Sequence, residues 1–315
     1  MFVWDVHVHC IPPDVKEAAE HGHFGLGLDG DWIIADGKRL LASSRMTDWS
    51  QVVRYGNDFN LSVVLSVPPA LVRNGAGPEW ASFVNNALYD VARHVPKAQI
   101  LAVMPLEDPL QSVREWDRIH AEFLGMTVAG SIGKRLLSDP AHAAFWSAMN
   151  ATGGLVLVHG SDHDDARLDP FYLNNLLGYP YEDTVAAADL VFSGLPSTFP
   201  AIRWCISHGG GAAPYLLGRW QRGYDTERPG IDTSKPSPRD VYRELWFDSV
   251  VHDRATLEFL MASAPGHVVF GTDYPFPMGT VWQLEEHTIA AATRAVLKQN
   301  TEQLMANVKK GLMNS

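Results

Sequence analysis

Eight short apolar runs alternate with longer amphipathic stretches, and most of these runs are rich in β-branched residues. Side chains able to bind a metal or move a proton recur where the runs end. Together these observations predict an α/β protein, a (β/α)8 TIM barrel with a small β-rich insertion after the first strand and C-terminal helices. Near-continuous hydrophobicity suits parallel strands covered on both faces. A doubly wound open sheet shares the alternation and is the structural rival.

The first strand is "VWDVHVH" (3–9). Residues 10–47 then break the rhythm. There "DWII" and "KRLL" flank Asp36-Gly37, a hairpin signal. This segment reads as an insertion over the barrel mouth, within a single domain of residues 1–315. A helix over 48–58 leads to "LSVVLSV" (61–67), and one over 79–94 leads to "ILAVMPL" (100–106). Asp108-Pro109 opens the next helix, 110–123, with a cap and a proline at the first helical position. "MTVAGSI" (126–132) follows, and Asp139-Pro140 repeats that start for a helix over 140–151. The remaining strands are "LVLVHG" (155–160), "IRWCISHGG" (202–210), "LWFDSV" (245–250) and "HVVFGTD" (267–273). Helices over 181–193, 212–222 and 254–264 separate them, and a helix pair near 283–312 closes the chain.

The chain has 315 residues, 46% of them hydrophobic, and a net charge of −11. Length and apolar content suffice for a large core. The acidic balance, without a basic stripe, argues against nucleic acid or an anionic membrane as partner. No apolar stretch approaches the ~20 residues of a spanning helix. Two distant cysteines, Cys10 and Cys205, suit a reducing compartment. The start "MFVWDVHVHC" lacks a secretory signal, so the expectation is a soluble, cytoplasmic protein.

His7 and His9 form an H-x-H whose period-2 spacing puts both on one face of the first strand. His159 ends the fifth strand, His208 the sixth and Asp273 the eighth. In a barrel, catalytic groups gather at the carboxyl ends of strands, so these five converge on one mouth. A lone histidine beside an apolar run is ordinarily a hydrogen-bonded core residue, and an isolated H-x-H is weak. Shared placement at one end of the strands outweighs both readings. Imidazole and carboxylate suit Zn²⁺, Mn²⁺ or Fe²⁺, and a histidine left off the metal can move a proton.

The other candidates carry less. His21, His23, His252 and His267 read as surface or structural, His163 in "HGSDHDD" is an outside candidate, and Cys10 is a small buried thiol. Gly209–Gly211 either bring the backbone close to an anionic substrate or serve a tight loop. No G-x-S-x-G, Walker loop or G-x-G-x-x-G is present.

The H-x-H, the two later histidines and the final aspartate resemble the metal-dependent amidohydrolase superfamily. "SHGGGAAPYLLGR", "WFDSVVHD" and "FGTDYPFPMG", with "AVMPLEDP" and "GLVLVHG", resemble its branch of α-amino-β-carboxymuconate-ε-semialdehyde decarboxylase and related aromatic-acid decarboxylases. The resemblance spans nearly the whole chain. It implies one divalent metal, zinc first and manganese second, held by His7, His9, His159 and Asp273, with no organic cofactor. It implies His208 as proton-transfer residue, with Asp273 as a second catalytic group. The implied reaction is non-oxidative loss of CO₂ from an unsaturated or aromatic acid, through a metal-bound water or a metal-chelated substrate. Arg39, Arg219 and Phe276 are the implied substrate contacts, with Arg219 reaching a neighbouring subunit's site in a homodimer.

Two features depart from that branch. Where its members carry H-P-W-D after the strand-five histidine, this chain has "HGSDHDDARLDPF", whose acidic 162–169 stretch would repel a dicarboxylate if it faced the pocket. No lysine ends strand four as a bridging ligand requires, since Lys134 lies beyond it, and a single metal follows. Two other functions compete: hydrolysis of an amide, lactone or similar bond by the same metal-bound water, and binding without turnover. A ligand set with an extra histidine beside it disfavours the binder. CO₂ release separates the decarboxylase from the hydrolase.

Overall fold

A computed structural model describes residues 4–161, 165–279 and 289–313. The strands, in chain order, are β1 (Trp4–His9), β2 (Leu26–Asp29), β3 (Trp32–Ala35), β4 (Lys38–Leu41), β5 (Ser62–Ser66), β6 (Gln99–Ala102), β7 (Gly125–Ala129), β8 (Gly154–His159), β9 (Ile202–Ile206), β10 (Trp246–Asp248) and β11 (Val268–Val269). Eight of them form one parallel sheet in the order β1-β5-β6-β7-β8-β9-β10-β11, each expected strand beside its successor. β1 also bonds the segment after β11: the Val6 amide donates to the Phe270 carbonyl (3.0 Å), Asp273 to His7 (2.9 Å) and His9 to Tyr274 (2.7 Å). The sheet therefore closes, which removes the open-sheet rival.

The helices fall where the apolar periodicity places them: Trp49–Phe59, Pro78–Ala92, Pro109–Ile119, Ala143–Thr152, Tyr179–Ser193, Ala213–Asp225 and Arg254–Ser263. Asp108 caps its helix by accepting from the Gln111 amide, as expected. Asp139 accepts from the Ala141 amide, but the turn it starts, Pro140–His142, is a short 3₁₀ segment ahead of the helix. At the C-terminus the expected pair is, among the described residues, one helix, Ala291–Met313, since most of the stretch before it lies outside them. It packs on β1, β8, β9 and β11, and Leu304, Met305 and Val308 join Val6, Leu155 and Cys205 in one buried cluster. Each such buried aliphatic contributes on the order of 1.5–3 kcal/mol, so the helix fastens opposite sides of the barrel together.

The insertion contains the expected hairpin. β3 and β4 pair antiparallel with Ala35 opposite Lys38, and Asp36 and Gly37 both take positive φ (50° and 78°), as a two-residue type I′ turn requires. A third strand, β2, completes the sheet, and a helix over Pro13–Glu20, unseen in the sequence pattern, precedes it. Arg73, from the loop after β5, clamps the turn: its guanidinium reaches both Asp36 carboxylate oxygens at 2.7 Å and lies over the Trp80 ring.

Candidate metal centre

Burial governs this site. His7, His9, His159 and Asp273 are at most 6% exposed, so every polar atom on them needs a partner. The three histidines meet that need in the same way. Nδ1 of His7 donates to Asp248 (2.6 Å), that of His9 to the Val67 carbonyl (3.2 Å), and that of His159 to the Gly160 carbonyl (2.6 Å). With Nδ1 protonated on each ring, each Nε2 carries a lone pair.

These lone pairs point at one another. Nε2 of His7 and of His9 are 2.9 Å apart, and Asp273 Oδ1 lies 3.4 Å and 3.1 Å from them. His159 Nε2 and Asp273 Oδ1 are buried without a hydrogen-bond partner among the described residues. One ligand atom from each of the four residues falls within 4.8 Å of all the others. Four acceptors facing each other repel unless a cation lies between them, and the N₃O set with ordered Nδ1 partners suits a divalent transition ion.

Strand geometry explains the convergence. The H-x-H holds His7 and His9 on one face of β1, and His159 is the last residue of β8. Asp273 and His208 are not at strand ends as expected. They lie in turns past β11 and β9, where φ of 60° and 49° takes the chain out of the extended region. His208 belongs to the same centre: its ring lies 4.8 Å from that of His159, and its Nε2 is 3.9 Å from Asp273 Oδ2. Its Nδ1 is 2.7 Å from Asp183 Oδ2. Burial disfavours the imidazolium, but the Asp183 and Asp273 carboxylates outweigh it and hold its pKa well above the usual histidine value. His159, by contrast, is driven well below that value by burial and by the neighbouring histidines.

Arg39 and Phe276 border a cavity of about 470 Å³ that reaches His159 and Asp273. Phe276 stands edge-on to His9, with ring centroids 5.2 Å apart. Arg39 is already engaged by Asp29 (2.9 Å) and by the face of Trp32. Arg219 does not border this cavity; it stands on the exposed side of Ala213–Asp225, one turn from the 80% exposed Tyr215. Gly209–Gly211 pack closely against protein: a Cβ on Gly210 would meet Phe247 and one on Gly211 would meet the Pro180 carbonyl, which accounts for glycine in this tight loop. Cys10 is buried and its thiol is pushed up to about 12, which removes it as a nucleophile. Lys134 lies in an exposed turn. His163 and the first acidic residues of 162–169 lie outside the described residues, whereas Asp165 pairs with Arg167.

The family model for amidohydrolases matches residues 4–310. The chain belongs to the amidohydrolase family. This amidohydrolase is 27% identical over 307 residues to 2-amino-3-carboxymuconate-6-semialdehyde decarboxylase of Dictyostelium discoideum, which covers 87% of this chain and 82% of the relative. Its fold matches 5-carboxyvanillate decarboxylase from Sphingomonas paucimobilis with a TM-score of 0.80 and 18% identity, over 98% and 99% of the two chains. It also matches dihydroxybenzoic acid decarboxylase from Polaromonas, solved with bound manganese (TM-score 0.76, 19% identity, 98% and 97% covered).

Four residues of this amidohydrolase escaped the sequence reading. Asp248 ends β10 in an apolar run, the same signal that exposed Asp273. Arg45 borders the large cavity from the short helix Ser44–Thr47 and makes no ion pair among the described residues. Asp183 and Tyr179 sit in the first turns of Tyr179–Ser193, where nothing in the sequence separates them from ordinary helix residues.

Proposed function

We propose that the chain is a metal-dependent, non-oxidative decarboxylase of an aromatic or otherwise conjugated carboxylic acid. The convergence of three imidazole lone pairs and one carboxylate beside a proton-bearing histidine carries this reading. Kinship with decarboxylases over nearly the full chain supports the choice of reaction. His7, His9, His159 and Asp273 would hold one ion, zinc first by the nitrogen-rich set, with manganese supported by the Polaromonas relative. Bound there, a divalent cation supplies Lewis acidity toward a substrate oxygen.

The protein's own residues do the rest. Arg45 and Arg39 orient the acid at the rim of the large cavity through charge-assisted hydrogen bonds. Phe276 provides an apolar wall. His208, kept protonated by Asp183, delivers its Nε2 proton to the carbon that bears the departing carboxylate. The C–C bond to the carboxylate then breaks, its electron pair returns to the conjugated system, and CO₂ leaves. His208 regains a proton from solvent, and no oxidant or organic cofactor takes part.

Arg219 and Tyr215, exposed on one helix face, support a homodimer in which Arg219 serves the neighbouring site. Among the described residues no helix is long and apolar enough to cross a membrane. The two free, buried cysteines support a reducing compartment such as the cytoplasm.

Metal analysis of the purified chain, followed by a screen of aromatic and muconate-type acids with CO₂ detection, tests the proposal. The expected result is about one transition metal per chain, with activity that a chelator removes and added Zn²⁺ or Mn²⁺ restores. A folded, active, metal-free enzyme would overturn it.

A further inference from the structure

Two chambers meet at the metal centre. The larger, of about 470 Å³, carries Arg39 and Arg45 and touches His159. The smaller, of about 240 Å³, carries no arginine among the described residues and contains His208 and His252. Asn175, Tyr179, Asp273 and Met278 border both chambers. Of these four, Tyr179 alone is aromatic. Its ring centroid is 6.0 Å from that of His159 and 6.4 Å from that of His208, so it stands over the passage from the acid-holding side to the proton-transfer side.

The backbone holds Tyr179 there by close approach. A Cβ on Gly160, the residue after His159, would come within 2.3 Å of the Tyr179 carbonyl oxygen, and one on Gly211 within 2.0 Å of the Pro180 oxygen. Only glycine at both positions lets the start of Tyr179–Ser193 sink between the ends of β8 and β9. Thr184 then ties the Gly211 loop to the helix: its hydroxyl donates to the Pro180 carbonyl (2.7 Å) and accepts from the Ala212 amide (2.8 Å). The backbone that carries Tyr179 is thereby fixed at the mouth of the site.

We propose that Tyr179 is a specificity-determining residue that stacks on the planar part of the substrate as it spans the two chambers. This inference rests on the acid-decarboxylase reading and adds a selection for flat, conjugated acids over puckered ones. Aromatic faces pack offset or edge-on against other π systems and gain beyond simple burial, whereas a saturated ring gains only burial.

The test uses the metal-loaded full chain and two probes of equal charge, 2-hydroxybenzoate and cis-2-hydroxycyclohexanecarboxylate. Dissociation constants come from calorimetric titration, or KM from CO₂ release where a probe is turned over. The wild type should bind the flat acid about tenfold more tightly. Tyr179→Phe should keep that ratio within twofold, and Tyr179→Ala should reduce it at least fivefold while metal content and melting temperature hold. An unchanged ratio in Tyr179→Ala overturns the inference. So does loss of metal in that variant, which would make Tyr179 a prop for His159, and so does collapse of the ratio in Tyr179→Phe. If neither acid binds any variant at full metal loading, the selection proposed for Tyr179 falls, while CO₂ release in the wider acid screen decides the decarboxylase reading separately.

Discussion

Nδ1 of His7 and Oδ2 of Asp248 sit 2.6 Å apart, and both side chains are wholly buried. The other oxygen of Asp248 accepts from the amides of Gly209 (3.0 Å) and Val250 (3.1 Å), so the carboxylate is held from both sides. This one contact fixes the tautomer of His7, aims its Nε2 lone pair at the centre and ties the His208 loop to the same anchor. Asp248→Asn can present its amide nitrogen to His7 and free the tautomer. The expected outcome is 10–100-fold weaker metal binding with the fold intact, measured by competition with a chelating dye.

His208 lies close to the four converging atoms but is not one of them. His208→Ala should therefore retain its metal by elemental analysis and lose about 10²–10⁴-fold in turnover. Loss of the metal instead would make His208 a ligand and reverse the assigned roles.

Arg39 and Arg45 share a cavity but differ in their ties. Asp29 and Trp32 hold Arg39, whereas no carboxylate among the described residues holds Arg45. Arg45→Ala should raise KM about 10–100-fold, the scale of one charge-assisted contact, and Arg39→Ala should raise it less. Steady-state kinetics on both variants decides the order.

Glu115 predicts a pH dependence away from the site. Burial works against its charge, but Arg118, Asn85 and Ser82 outweigh it and hold its pKa below the ordinary 4.5. On acidification the unfolded chain takes up this proton first. The stabilisation is thus complete above 4.5 and is lost as pH falls through the lower folded value. Denaturant titration should show Glu115→Gln less stable by about 1.5–3 kcal/mol at pH 7, with the gap narrowing as the pH falls below 4.5.

Much of this arrangement was legible in the sequence, for identifiable reasons. β-branched runs of strand length mark parallel strands, and His7, His9 and His159 follow from their places on them. Asp273 and His208 were found although the expected strands ran too far, because positive φ at both turns leaves no trace in hydrophobicity. Asp183 was hidden because its role depends on helix Tyr179–Ser193 sinking into the mouth, and two glycine contacts distant in sequence set that depth. Arg45 was passed over for Arg39 because the fold of the insertion decides which arginine is already paired.

The most direct test of the central claim is CO₂ released per acid consumed, measured without oxygen on chain carrying one metal ion. One CO₂ is expected for each acid lost, with the remaining product carrying a solvent hydrogen where the carboxylate stood. Consumption of substrate to a free acid plus an amine or alcohol, without CO₂, would contradict it and make the same centre a hydrolase.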